Sequence, residues 1–423
     1  MKNVPLFLPL ILIIFMSCSQ DNSHGLEFKN GYIFNGQTFK QKTFYVIDGL
    51  ISDESPKTLD SIIDLNSNYI IPPYGEAHNH NMDDYKTEEK IQNYLSKGIY
   101  YIKVPNILPR SRRNTESKIN NPNSVDATFS NGGLTSTDGH PIGLVKRNIS
   151  RGVFQPEDGE GQFYHTIDDT IALNNKWEQI ISGKPDFIKT YLLYSEEYES
   201  RKNDSTYFAW KGLSPKVLKA IVVKAHEAGL RVSTHIETAI DFKHAVLAGV
   251  DEINHFPGFR LEPLYLDNLS IYEIEEEDAK IAGDKNIIVI TTLGYLIEEL
   301  LAQEDGQNSE MMNIIKNNID VLKEYNVPIA IGSDNYGGTS YDEIKALSKS
   351  RIFSNLELLK MWTETTVSTI FPKKNLGSIE KGFIANFLVL EGNPLDNFEN
   401  FQNILFAVKE GQIIKTMPNN VYN

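Results

Sequence analysis

The sequence predicts an α/β fold: a (β/α)8 barrel with a small β-sandwich domain formed from both termini. Three observations carry that expectation. Eight short apolar, β-prone runs recur through the middle of the chain, and helical patterns separate several of them. Turn-rich runs of aromatic and β-branched residues flank this middle on both sides.

In chain order, the first segment is an address. Lys2, the apolar stretch Val4 to Met16, Ser17 and Cys18 have the pattern of a signal peptide. The stretch contains Pro5 and Pro9 and falls short of the roughly 20 residues that span a bilayer. Phe15-Met16-Ser17-Cys18 resembles the bacterial lipobox, with Phe15 where leucine is usual, and a polar run, Ser19 to Gly25, follows. Residues 1–17 are therefore expected to be removed, Cys18 to carry lipid and 18–25 to act as a tether. A cleaved signal with an incidental cysteine is the alternative. The expected location is the bacterial cell envelope, lipid-anchored, periplasmic or surface-facing.

Residues 26–71 and 373–423 are expected to form the small sandwich. Phe28 to Phe34 and Thr43 to Ile51 read as strands, with Asn35-Gly36 and Asp48-Gly49 as hairpin signals. The tail repeats the style in Phe387 to Leu390, Ile404 to Val408 and Ile413-Ile414.

Residues 72–372 are expected to form the barrel. Its candidate strands are Tyr69 to Pro72, Ile99 to Val104, Ser124 to Phe129, Asp186 to Leu192, Leu230 to His235, Val250 to His255, Ile287 to Thr292 and Pro328 to Ser333. Helical patterns run over Ser214 to Ala228, Ala239 to Ala248 and Ser309 to Tyr325. A doubly wound sheet is disfavoured, because no Gly-rich phosphate loop follows the first strand.

Composition narrows the function classes. Among 423 residues, 41 basic and 56 acidic side chains give a net charge of −15, which disfavours nucleic acid as a partner. One cysteine allows no internal disulfide. The expected partner is a small molecule, membrane contact runs through the lipid anchor alone, and a homo-oligomer is left open.

Chemistry in such barrels sits at the C-terminal ends of the strands. The first strand leads into Glu76-Ala77-His78-Asn79-His80, where residues two apart share a side, so His78 and His80 can face one metal ion. The fifth strand ends on His235 and the sixth on His255. One such histidine is more often structural. Four from three strand ends, out of nine in the chain, are hard to assign to chance. The eighth strand ends Ser333-Asp334, and Asp334 is either a metal ligand and base or a helix cap. Lys189 stands inside the apolar fourth strand, where an unpaired amine is costly. A carbamate formed with carbon dioxide would remove that difficulty; without the other residues Lys189 would read as a snorkelling side chain.

Together His78, His80, Lys189, His235, His255 and Asp334 resemble the amidohydrolase superfamily, in its binuclear, carboxylated-lysine branch. The tail Leu376 to Phe387, with Asn393-Pro394-Leu395 and Val408 to Gly411, is similar to the returning sandwich strand of that superfamily. The resemblance implies two divalent ions, zinc by expectation, and a carbamate on Lys189 bridging them. It places His78 and His80 on the more buried ion and His235 and His255 on the more exposed one. A metal-bridging hydroxide would attack the substrate, with Asp334 as ligand and general base. Glu76 and Asn386 each replace the superfamily's usual Asp.

That chemistry suits hydrolysis of a C–N bond in an amide, dipeptide-like compound or lactam. Mononuclear deaminases of the same fold place a Glu three residues after the fifth-strand His; here that position is Thr238, with Glu237 one short. A one-metal deaminase and an inactive binding lipoprotein are the alternatives. The segment 107–185 is the expected specificity loop. Its Thr137-Asp138-Gly139-His140-Pro141 resembles the Gly-His loop of prolidase-like and imidazolonepropionase-like members. His140 and Tyr191 are candidates to donate to a substrate carbonyl, against a surface loop and a packing role. Arg110, Arg112, Arg113 and Arg260 are candidates to hold a carboxylate, though a solvated basic run is the simpler reading of the first three.

Overall fold

The computed structural model describes residues 24–83, 86–261, 265–302 and 306–414. Cys18 and the expected signal peptide lie outside the described residues. His24 and Gly25, expected in the tether, already belong to the first strand, His24–Phe34.

Both termini build one eight-stranded sheet. Its order is Gln412–Ile414, Ile404–Lys409, Phe387–Leu390, Tyr69–Ile71, His24–Phe34, Phe39–Ile47 and Leu50–Ser52, with Thr58–Asp64 paired to His24–Phe34. The hairpins turn where the sequence signals stand. Asp48 and Gly49, with φ of 50° and 76°, join Ile47 to Leu50, as a two-residue turn requires. Asn35 Oδ1 accepts the N–H groups of Gln37 and Thr38 in the other turn. In hydrogen bonding this is one sheet rather than two. His24–Phe34 is long enough to pair in parallel with Thr58–Asp64 by its first half and with Tyr69–Ile71 by its second. Side chains of the sheet form a core of their own, in which Phe28 stacks on Phe44 and meets Phe387 edge-on.

Tyr69–Ile71 is thus not the first strand of the middle region, as the sequence suggested; it pairs with Leu388, Val389 and Leu390. Pro72 and Pro73 supply no N–H to a ladder, so pairing breaks there and resumes in Tyr74–Glu76, the strand that leads to His78.

The middle strands run in parallel in two groups. Tyr74–Glu76, Ile99–Val104 and Asp126–Phe129 form one sheet. Tyr164–Thr166, Gly133–Thr135, Phe187–Tyr191, Arg231–His235, Glu252–Asn254, Ile288–Ile290 and Ile329–Ala330 form the other, in that order. Backbone hydrogen bonds cross both gaps: Asp186 N to Phe129 O at 2.8 Å and Ala77 N to Ile331 O at 2.9 Å. Ile99–Val104 and Phe187–Tyr191 are buried throughout, as strands covered on both faces must be.

The expected helices form over Pro215–Glu227, Ala239–Ala248 and Gly306–Glu324. The first starts with Pro215 while Ser214 accepts from Val217 N, the usual start chemistry. Segment 107–185 is not a loop. Besides the expected strand Asp126–Phe129 it holds helices Pro109–Glu116, Ile142–Ser150 and Thr170–Ser182 and two added strands, Gly133–Thr135 and Tyr164–Thr166, whose three residues are too few to show a period.

The terminal sheet is locked to the parallel strands. Buried Lys409 donates to Asn121 O, Ser124 O and Asp126 Oδ1. Asn386 donates to Tyr101 Oη at 2.7 Å while accepting from Glu410 N, so an amide has a structural use at this position. Among the described residues no helix is long and apolar enough to cross a membrane.

Candidate active site

Six parallel strands deliver side chains to one place at or just after their C-terminal ends. His255, Thr292 and Asp334 each follow a strand and adopt left-handed backbone, with φ of 77°, 56° and 45°. This conformation turns the chain sharply at each strand end. Asp334 Oδ1 lies 3.4 Å from His80 Nε2 and 3.6 Å from His78 Nε2. The ligand-type atoms of these three residues all lie within 4.8 Å of one another. Ring centroids continue the cluster: His78 to His255 is 4.8 Å and His255 to His235 is 4.4 Å. His140 sits 5.1 Å from both His235 and Tyr191, and Lys189 Nζ lies 5.3 Å from the Tyr191 ring. All eight candidate residues of the described chain are brought together.

Close approach makes this possible. A Cβ on Gly332 would stand 2.8 Å from His78 Cβ and 2.9 Å from His78 N, so only glycine lets the two strand ends meet here.

A second ring of contacts orients the first. His78 Nδ1 donates to Asn254 Oδ1, which turns Nε2 toward Asp334. Asn254 donates in turn to Ser233 Oγ at 2.6 Å. His255 Nδ1 pairs with Thr292 Oγ1 at 2.7 Å, and His235 Nε2 with Glu237 Oε1 at 3.1 Å. Such partners select the tautomer of a ligating imidazole. Asn106 Nδ2 donates to Tyr191 Oη at 2.9 Å, leaving the phenolic hydrogen free to point elsewhere. The sequence reading assigned no role to Asn106, Asn254 or Thr292 and weighed Glu237 only by its spacing. Two signals are present in the sequence: Glu237 stands two residues after His235, and Thr292 closes the apolar run Ile287 to Thr292.

Burial sets the charges. It holds His78, His235 and His255 well below the usual imidazole range and pushes His80 and His140 down to about 3, with nearby cations adding to the effect. It lowers the Lys189 amine to about 7 and raises Asp334 to about 7. Among the described residues Lys189 Nζ has no hydrogen-bond partner. Lys103 is ion-paired to Glu252, which also pairs with Arg231 at 3.0 Å, so its burial is compensated and that of Lys189 is not. Neutral imidazoles, one carboxylate and an unpartnered buried amine are a donor set that fits divalent cations.

Glu76 has a defined task. It is fully buried, accepts Ser333 N at 2.8 Å and Ser333 Oγ at 2.7 Å, and also takes the His78 N–H at 3.3 Å. It therefore ties the His78–His80 segment to the Asp334 segment. Burial raises its carboxyl to about 8, against the pull of these bonds. Glu76→Asp, which draws the carboxylate back by one methylene, is expected to lower stability by about 1–3 kcal/mol. Urea unfolding measures it; an unchanged midpoint would show that Ser333 needs no such reach.

Of the arginines, Arg110 pairs with Asp158, Arg112 pairs with Glu116 at 2.7 Å and bonds Asn131, and Arg113 is exposed. Arg260 alone among them acts electrostatically on His140, His235, His255 and Asp334. Thr238 caps the helix Ala239–Ala248 through Asp241 N.

A family model described as "Amidohydrolase family" matches residues 208–419. The ochratoxinase of Aspergillus niger is 25% identical over 226 residues, covering 51% of this chain and 44% of that protein, so the match spans less than half of the relative. Its crystal structure superposes with a TM-score of 0.71 at 18% identity, covering 93% of this chain and 96% of that one. Molinate hydrolase gives 0.69 at 15%, covering 95% and 97%. A prolidase complexed with N-methylphosphonate-L-proline gives 0.68 at 16%, covering 93% and 100%. At these identities the structural likeness speaks for the fold.

Proposed function

Because the chain belongs to the amidohydrolase family, we propose that it is a metal-dependent hydrolase of a C–N bond in a small amide, dipeptide-like or lactam substrate. The observation that carries this reading is the buried, unpartnered Lys189 amine beside four neutral histidines and Asp334. In this reading the parallel strands form a (β/α)8 barrel, supported by the hydrogen bonds across both gaps between the sheets.

His78 and His80, through Nε2, and Asp334 would hold one divalent ion. His255 and His235 would hold a second, His235 through Nδ1 because Glu237 occupies Nε2. Lys189, as its carbamate, would join the two and so lose the cost of a buried unpaired amine. Zinc is the expected metal for this donor set. Such ions would supply a water nucleophile near neutral pH and polarise the scissile carbonyl. Asp334 accepts a proton from the attacking water at a carboxylate oxygen and returns it to the leaving nitrogen. Tyr191, whose oxygen already accepts from Asn106, donates its O–H toward the carbonyl oxygen, with His140 on the same side.

A one-metal deaminase is less well supported, since Thr238 is spent on a helix cap. The Ser333 bonds give Glu76 a structural use, which weighs against reading this departure as the mark of an inactive binding protein. A panel of Xaa-Pro dipeptides, N-acyl amino acids and lactams tests the reading. Turnover of at least one class, lost on chelation and restored by zinc, is expected; no turnover of any class by the metal-loaded protein would overturn it.

Cys18 would tether the enzyme to the cell envelope. Cys18→Ala is expected to move the protein from the membrane fraction to the soluble fraction; retention in the membrane would refute lipid attachment at this residue.

A further inference from the structure

Arg260 has no part in the reaction above, yet it is built into the same site. Its Nη2 donates to Glu237 Oε1 at 2.6 Å. Its guanidinium lies 5.2 Å from the Trp210 ring and 5.7 Å from the Phe259 ring, and Phe259 stacks on His255 at 4.0 Å. Glu237 is buried, and it also holds His235. The cation is thus fixed by a buried carboxylate on one side and an aromatic plane on the other, while 48% of its side chain stays exposed. Among the described residues its other N–H groups have no partner. Trp210, at 37% exposure, offers an uncovered apolar surface beside it. The same Glu237 Oε1 meets His235 Nε2 at 3.1 Å, so one carboxylate oxygen joins the guanidinium to a site histidine. In a chain of net charge −15, an anionic substrate requires such a local cation. A planar fork of donors held in one orientation matches a carboxylate.

We propose that Arg260 and Trp210 form a subsite for the free carboxylate of an N-acyl amino acid or dipeptide, with the apolar part of that residue lying on the indole. Glu237 is the positioning residue that holds the guanidinium in place. The inference rests on the hydrolase reading of the same site and names its substrate class.

Binding without turnover tests it. The full-length protein is titrated with N-acetyl-L-phenylalanine and with its carboxamide, following tryptophan fluorescence, with Trp210→Phe as the control for the reporter. The acid is expected to bind at least tenfold more tightly than the amide. In Arg260→Gln the ratio should fall below about threefold, and Arg260→Lys should recover part of it. Equal binding of acid and amide by the wild type, no binding of either, or an unchanged ratio in Arg260→Gln would overturn the subsite. The matched pair is also assayed for hydrolysis by the zinc-loaded enzyme. A tenfold binding ratio with no hydrolysis of any amide would sink the hydrolase reading and leave the subsite standing. Hydrolysis of acid and amide with equal KM would do the reverse.

Discussion

Replacing Lys189 by methionine is expected to abolish turnover, to remove at least half of the bound metal, and yet to stabilise the metal-free protein. The three effects share one cause. Lys189 is buried, its amine lacks a partner among the described residues, and burial lowers its pKa from 10.5 to about 7. The sign follows from linkage: between pH 7 and 10.5 the unfolded chain holds a proton that the folded chain does not, so stability rises with pH there. The cost of burying the charge is complete below about pH 7 and fades toward pH 10.5. Methionine fills a similar volume without charge. Metal-free Lys189→Met should therefore be more stable at pH 6 by about 1–4 kcal/mol, and the gain should shrink at pH 9. Calorimetry at both pH values and elemental analysis measure these effects. Full metal content and wild-type turnover in Lys189→Met would show that the lysine bridges nothing.

Asp334→Asn should cut kcat by about 10²–10⁴, the range for losing a positioned acid–base group, with little change in KM. Asn keeps the shape and one oxygen near His78 and His80, so the fold should survive, and a thermal melt checks that. The loss should be found for every substrate the wild type accepts, because the proton transfer is common to all. Turnover unaffected by the substitution would remove Asp334 from the role of base and assign it to shape alone. A loss confined to KM would instead make it a binding residue.

These two predictions concern residues that local pattern could reach. The His78–His80 spacing, the strand ends at His235, His255 and Asp334, and an apolar run around Lys189 are all visible within about five residues of sequence. The hairpin turns Asn35-Gly36 and Asp48-Gly49 and the helix start Ser214-Pro215 are equally local. Where the reading failed, the deciding partner lay far away. Tyr69–Ile71 has strand character, but its strand neighbour, Phe387–Leu390, comes from the other end of the chain. Gly133–Thr135 and Tyr164–Thr166 are strands because a sheet edge accepts them, and three residues carry no period of their own.

Residue types and their spacing at strand ends determined which side chains could do chemistry, and the apolar alternation determined that strands and helices would alternate to present them. The tertiary structure decided the rest. It joined Glu76 to Ser333 across 257 residues, His78 to Asn254 across 176 and Arg260 to the His235 partner Glu237. Local sequence pattern carries no signal for such pairs, because each exists only after distant strand ends are packed side by side. The same packing leaves Lys103 paired and Lys189 alone. Two buried lysines that look alike in sequence are thereby given different work.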